Sequence, residues 1–266
     1  MIKRILLFLA FILQFATLQA SVVVLNGLTH FYKVENGQIY KGQVTLQNTG
    51  NAPQNVKIFL QDFSYHADGT TYYTAPHTNE KSNTDWIKLN TNLINLKAKE
   101  KTEVYFEINV PDKIAQAGTY WSVIIVEPVE DIKPSNDSPG INITSVVRYA
   151  IQVITNYDTE NVKPSLKFES VKIEKEGQQR IVKVGIVNNG NLYCRPTANI
   201  EIYNRKTGEK IGTFSSMTMA LLPNTSKSFD IDISNILPDK YNAVIIATDE
   251  DENAFALNVE LEVKND

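Results

Sequence analysis

The chain has 266 residues, 42% of them hydrophobic, and carries 26 basic against 30 acidic side chains for a net charge of −4. That mildly acidic, interspersed balance leaves no electrostatic footprint for nucleic acid, and the single cysteine, Cys194, excludes an intramolecular disulfide. The length suits two domains of roughly a hundred residues or more, each large enough to fold on its own core.

Lys3 and Arg4 precede an apolar run from Ile5 to Phe15, and Leu18-Gln19-Ala20 offers a small residue before Ser21. This pattern predicts a cleaved secretory signal peptide over residues 1–20, its apolar core too short to span a bilayer. No later run approaches the ~20 apolar residues of a membrane helix. The expected mature chain is exported and soluble, has no transmembrane anchor, and carries a net charge of −6 once Lys3 and Arg4 are gone.

From Ser21 the chain reads as short strands between turn signals: Val22 to Leu25, Gly42 to Gln47, Val56 to Asp62, Glu103 to Val110 and Tyr120 to Glu127. Asn36-Gly37 and Asp68-Gly69 are tight-turn dipeptides. No window carries a capped 3.6-residue stripe, and Lys113 to Ala117 is at most one helical turn. Ser64 to Trp86 is an insertion rich in Tyr, His, Thr and Asn. Its aromatics Tyr65, Tyr72, Tyr73 and Trp86 are candidates to stack on sugar rings or anchor a protein partner; the alternative is a hairpin folded back over the sandwich. Pro128 to Gly140, acidic and holding Pro128, Pro134 and Pro139, reads as a long exposed loop. Ile141 to Ile154 then alternates as an amphipathic last strand, with Ile141, Ile143, Val147 and Arg148 the candidates for pairing with a partner's strand. Alternatively Ile143, Val147, Ile151 and Val153 simply fill the core. A boundary between Asn156 and Pro164 divides the mature chain into residues 21–157 and 158–266.

The second half repeats the first. Val44-Thr45-Leu46-Gln47-Asn48-Thr49-Gly50-Asn51 is answered by Val184-Gly185-Ile186-Val187-Asn188-Asn189-Gly190-Asn191. Asn and Gly there are expected to supply the positive-φ positions of a turn. In the same order, Leu96, Val104, Phe106 and Ile108 are answered by Leu222, Phe229, Ile231 and Ile233. Pro111-Asp112 and Tyr120 with Val123-Ile124-Ile125 are answered by Pro238-Asp239 and Tyr241 with Val244-Ile245-Ile246. The predicted fold is all-β, two tandem immunoglobulin-like sandwiches after the signal peptide.

Signals for chemistry are weak. Asp249, Asp251, Asn253 and Glu260 fall on calcium-loop positions, but Ala254 stands where the loop's sharp turn needs Gly, so a solvated hairpin turn is expected. His30, His66 and His77 lack zinc spacing, Cys194 sits in an apolar context that suggests an inert thiol, and no nucleophile elbow or phosphate loop exists. No catalytic residue, cofactor or metal ligand is expected, and the protein is read as not an enzyme.

Asp68-Gly69-Thr70-Thr71-Tyr72-Tyr73, Trp86, Leu96, Val104 to Pro111 and Gly118-Thr119-Tyr120 resemble the first domain of the WxL-interacting proteins of bacterial surfaces. That domain is similar in fold to the first domain of periplasmic pilus chaperones. Tyr149 to Asn156, Pro164-Ser165-Leu166, Val182 to Asn188, Met219 to Thr225 and Leu237 to Tyr241 resemble the family's second domain. The resemblance implies a peptidoglycan-binding first domain, a second domain that engages host or partner proteins, and no catalytic residues. Members usually continue into a membrane helix, whereas this sequence ends Val263-Lys264-Asn265-Asp266, so a periplasmic or released protein is expected. The function this suggests is adhesion, or scaffolding of surface proteins or peptidoglycan. The alternative is a chaperone lending a strand to fimbrial or surface subunits, and the analogous client-binding basic residues are Arg148 and Lys33.

Overall fold

The structure, a computed structural model, describes residues 22–129 and 147–264. Its regular elements are strands apart from two 3-10 turns, Thr84–Trp86 and Thr159–Asn161. The first sandwich contains β1 (Val22–Val24), β2 (Thr29–Val34), β3 (Ile39–Asn48), β4 (Gln54–Tyr65), β5 (Thr71–Thr74), β6 (Ile87–Leu89), β7 (Leu93–Leu96), β8 (Lys101–Asn109), β9 (Gly118–Val129) and β10 (Tyr149–Tyr157). One of its sheets has the order β1-β3-β8-β6, the other β2-β10-β9-β4-β5 with β7 also on β4. The second sandwich contains β11 (Leu166–Glu176), β12 (Gln179–Asn188), β13 (Thr197–Asn204), β14 (Lys210–Ser215), β15 (Ser226–Asp232), β16 (Asp239–Thr248) and β17 (Ala254–Val263), in sheets β11-β12-β15 and β14-β13-β16-β17. Among the described residues no helix is long and apolar enough to cross a membrane.

Alternation explains most of the packing. On β8, Val104, Phe106 and Ile108 point inward; on β15, Phe229 and Ile231 do the same. The strand registers align the two halves: Val44 lies opposite Val104, and Val184 opposite Phe229. Phe106 therefore answers Ile231, which lies opposite Val182 as Phe106 lies opposite Gly42.

The repeated Asn-x-Gly-Asn phrase turns the chain by a different device from the one expected. Gly190 does not adopt a left-handed φ; it is needed because a Cβ there would stand 2.5 Å from the Ser165 nitrogen. The turn is made by the asparagine side chain. Asn188 Oδ1 accepts from Gly190 N–H at 3.0 Å while its Nδ2 donates to Leu192 O at 2.7 Å and Leu221 O at 3.4 Å. Asn48 does the same with Gly50 N–H at 2.9 Å, Ala52 O at 2.8 Å and Leu96 O at 3.1 Å. Short polar side chains that bond their own backbone replace the φ > 0 glycine.

Pro128 lies inside β9, opposite Val56, and not in a loop. The remainder of the expected proline loop, with Ile141 and Ile143, lies outside the described residues. β9 is buried on both faces, which accounts for its unbroken Val123-Ile124-Ile125-Val126 run. Ile124 and Val126 face the sheet across the first sandwich; Trp121, Val123 and Ile125 face a core that continues into the second. In the answering strand β16, Ala243, Ile245 and Ala247 are buried and Val244 and Ile246 are only half-buried, because nothing among the described residues covers that sheet's outer face.

Candidate functional site

β4 pairs with β9 over Asn55 to Gln61, then continues to pair with β5 over Asp62 to Tyr65. The β4–β5 hairpin thus projects beyond its sheet toward the second sandwich. Its tip turns at Gly69, whose φ of 86° only glycine adopts freely. Asp68 Oδ1 accepts from Thr70 N–H and Oγ1, and these bonds hold the Asp68 carboxyl below the usual carboxylate range. The buried Asp62 carboxylate orders the segment after β5 by accepting from Thr78 N–H at 2.7 Å, Asn79 N–H at 2.8 Å and Ser82 Oγ at 2.5 Å.

The four aromatics expected to form one surface cluster are separated. The parity of β4 places Tyr65 on the face toward the second sandwich, where it is 7% exposed. Its hydroxyl donates to Ala220 O at 3.0 Å and accepts from Leu222 N–H at 3.1 Å. Burial pushes its pKa up, and Lys227 Nζ sits 4.6 Å from the ring centroid. Trp86 is delivered by its 3-10 turn into the first sandwich's core, 4.9 Å from the Tyr120 ring. Only Tyr72 and Tyr73 remain exposed. As strand neighbours they face opposite ways. Tyr72 packs on His66 at 5.7 Å and lines a cleft of about 390 Å³ with Ser64, Thr74, Thr78 and Asn224. Tyr73 packs on Phe63 at 5.3 Å.

On Tyr73's side lies Arg148, its Cζ 5.2 Å from the Phe59 ring and 5.9 Å from that of Tyr73. Its guanidinium donates to Gln61 Oε1 and approaches Glu127 to 3.4 Å. Arg148 and Val147 are exposed just before β10. Lys33 is exposed on β2, level with Asn156, so the two basic residues do not meet in one buried pocket. β2 covers the outer edge of β10 from Gln152 to Tyr157. Among the described residues no strand pairs Tyr149, Ala150 or Ile151 on that side.

A further set of contacts joins the sandwiches. Thr119 N–H donates to Asn191 O at 2.8 Å, and Tyr193 N–H donates to Thr119 Oγ1 at 2.9 Å. Ala67 N–H at the hairpin tip donates to Ser226 Oγ at 3.0 Å. Gly118, with φ 129°, permits this approach, since a Cβ there would stand 2.2 Å from Asn191 O. The sequence signal for this junction is the run of apolar residues on both faces of β9.

The remaining chemical leads are structural. Asp249 Oδ1 accepts from Asp251 and Asn253 N–H within its own hairpin turn, and Glu260 lies 3.2 Å from Arg205. Burial pushes the Cys194 thiol up to about 12. His77 contacts Asp85 at 3.2 Å, apart from His66 on Tyr72. Among the described residues no group of His, Cys, Asp and Glu could hold a metal.

The described residues thus form two immunoglobulin-like β-sandwiches, with exposed aromatics and a held guanidinium on the first. Residues 138–266 match the WxL Interacting Protein host binding domain, so the family resemblance read from the sequence is shown for the second half of the chain. No curated protein matches the chain. Among solved structures, it is similar to the YadV chaperone at 13% identity and a TM-score of 0.45, over 91% of this chain and 100% of that one. It is also similar to a chaperone–tip adhesin complex of CFA/I fimbriae, at 14% identity and a TM-score of 0.49 over 90% and 98%. A third is the CsuC–CsuE chaperone–tip adhesion subunit complex of Acinetobacter baumannii, at 19% identity and 0.46 over 91% and 98%.

Proposed function

We propose that this is an exported, non-enzymatic envelope protein of a bacterium, with structural units 21–157 and 158–266, that binds surface protein subunits or peptidoglycan as an adhesin or scaffold. The match of residues 138–266 to a host binding domain carries this reading. The exposed pair Tyr72 and Tyr73 supplies contact area in the first unit, since amphipathic rings on a fixed hairpin lose little entropy on binding. The test is binding of the labelled mature chain to isolated peptidoglycan sacculi and to host-cell surface protein. The double substitution Tyr72→Ala, Tyr73→Ala is expected to weaken one of these without moving the melting temperature. Unchanged binding to both would remove the hairpin from the function.

A second reading, a chaperone that pairs a strand with a fimbrial or surface subunit, is favoured by the edge of β10 at Tyr149 to Ile151, which no strand among the described residues pairs on that side. Val147 is 44% exposed beside that edge. Val147→Asp should abolish capture of a subunit strand and leave the protein folded; retained capture would rule against the reading.

A further inference from the structure

Among the described residues β2 is the outermost strand of its sheet and pairs with β10 alone, while its Phe31 ring rests on Tyr193 of the second sandwich at 5.2 Å. It begins after a corner at Gly27, φ 88°, where the chain leaves β1 in one sheet and crosses to the other. Thr29, Phe31 and Lys33 face out while His30, Tyr32 and Val34 face in. His30 thus inserts an imidazole beneath the strand, edge-on to Phe106 at 6.5 Å. Its Nε2 is buried and has no hydrogen-bond partner.

We propose that β2 is an acid-released cover: protonation of His30 places an unpartnered cation beneath Thr29–Val34, lifts that strand from β10 and opens the β10 edge to an incoming strand. Beyond the Gly27 backbone, the described surroundings supply nothing to receive the charge. From β10, Ile151 and Val153 point to the same side; from β8, Val104, Phe106 and Ile108; from β3, Val44 and the bare Gly42. The titratable side chains on this side are the phenols of Tyr32, Tyr40, Tyr120, Tyr149 and Tyr157, with no carboxylate among them. The cation Lys81 lies over Tyr120, which is level with Thr155 and Tyr32, two residues along the strand from His30. Lys41, Lys101, Glu103 and Glu107 alternate with the inward row and lie on the outer face. Desolvation lowers the His30 pKa, opposed only by a backbone hydrogen bond at Gly27. The paired state is therefore favoured above the ordinary imidazole value of about 6.5 and weakens as pH falls below it.

The use of such a cover rests on the strand-pairing reading, but its occurrence does not. Residue-resolved amide exchange is therefore measured on the mature chain with no partner present. Gln152 N–H donates to Leu28 O at 2.8 Å, and by alternation Ile154 and Asn156 point the same way, whereas Val153 and Thr155 point to β9. Between about pH 7.5 and about pH 5, protection of Gln152, Ile154 and Asn156, corrected for intrinsic exchange, should fall about tenfold or more while Val153 and Thr155 hold. In His30→Gln the fall should disappear, and in His30→Phe likewise should Gln disturb the packing. Constant protection in the wild type, an equal fall in both variants, or a fall shared by Val153 and Thr155 would each overturn the proposal. Loss of subunit binding at all pH values with the exchange pattern intact would sink only the strand-pairing reading.

Discussion

Asn188 and Asn48 act as folding determinants through side chains that are fully buried and bonded at both ends. Asn188→Ala removes the acceptor for Gly190 N–H and the donor to Leu192 O, leaving backbone groups without partners, and should cost about 2–4 kcal/mol. Asn188→Asp keeps the acceptor but loses the donor and buries a charge, so it should be no better. Chemical denaturation of both variants checks this; a loss below about 0.5 kcal/mol would mean that water replaces the side chain. Cys194 is inert for a related reason. With its thiol pushed up to about 12, the thiolate fraction at about pH 8 is on the order of one in ten thousand. A thiol reagent should label the native protein negligibly and the denatured protein with one equivalent, since the chain has one cysteine. Rapid native labelling would show that the β13–β16 end of the sandwich opens.

The β4–β5 hairpin, which the sequence presents as an aromatic-rich insertion, is a strut between the sandwiches. Tyr65→Phe would leave Ala220 O and Leu222 N–H without their partner, at about 1–3 kcal/mol. Gly185→Val would place a branched side chain where a Cβ already meets Ser170 Oγ at 2.6 Å, pushing Ala67 at the tip. Both should broaden or split the thermal transition, measured by calorimetry, more than they lower the second sandwich's own stability. A single sharp transition in both variants would deny the hairpin this role. The element pattern shows why this was half-legible. Strands such as β3, β8 and β9 announce themselves by alternation or by an apolar run. Tyr65 and Tyr72 carry the same residue type and differ only in which face their strand parity presents, which depends on a neighbour more than a hundred residues away, the 220–222 segment. Trp86 departs from the expected surface cluster for a similar reason: a three-residue 3-10 turn has no periodicity to read, yet it sends the indole inward.

At the scale of the molecule the two sandwiches share one core. Phe63, Trp121, Ile125 and Ile154 of the first belong to the same buried cluster as Leu221, Phe229 and Ile245 of the second. Length alone suggests halves able to fold separately, but residues 22–157 without the second sandwich would expose that apolar row. We expect one calorimetric transition for the mature chain, and aggregation or a lowered melting temperature for the isolated first half. Two independent transitions matching the isolated halves would contradict this. The shared core also equips the protein with its own spectroscopic gauge. Of the chain's two tryptophans, Trp86 lies within the first sandwich's core. Trp121 lies in the shared core, its indole N–H donating to Phe63 O at 2.7 Å. Emission from a Trp86→Phe protein therefore reports separation of the two sandwiches, and emission from Trp121→Phe reports melting of the first alone. Comparing the two in a stopped-flow unfolding jump times the parting of the halves against the loss of either fold, with no dye attached.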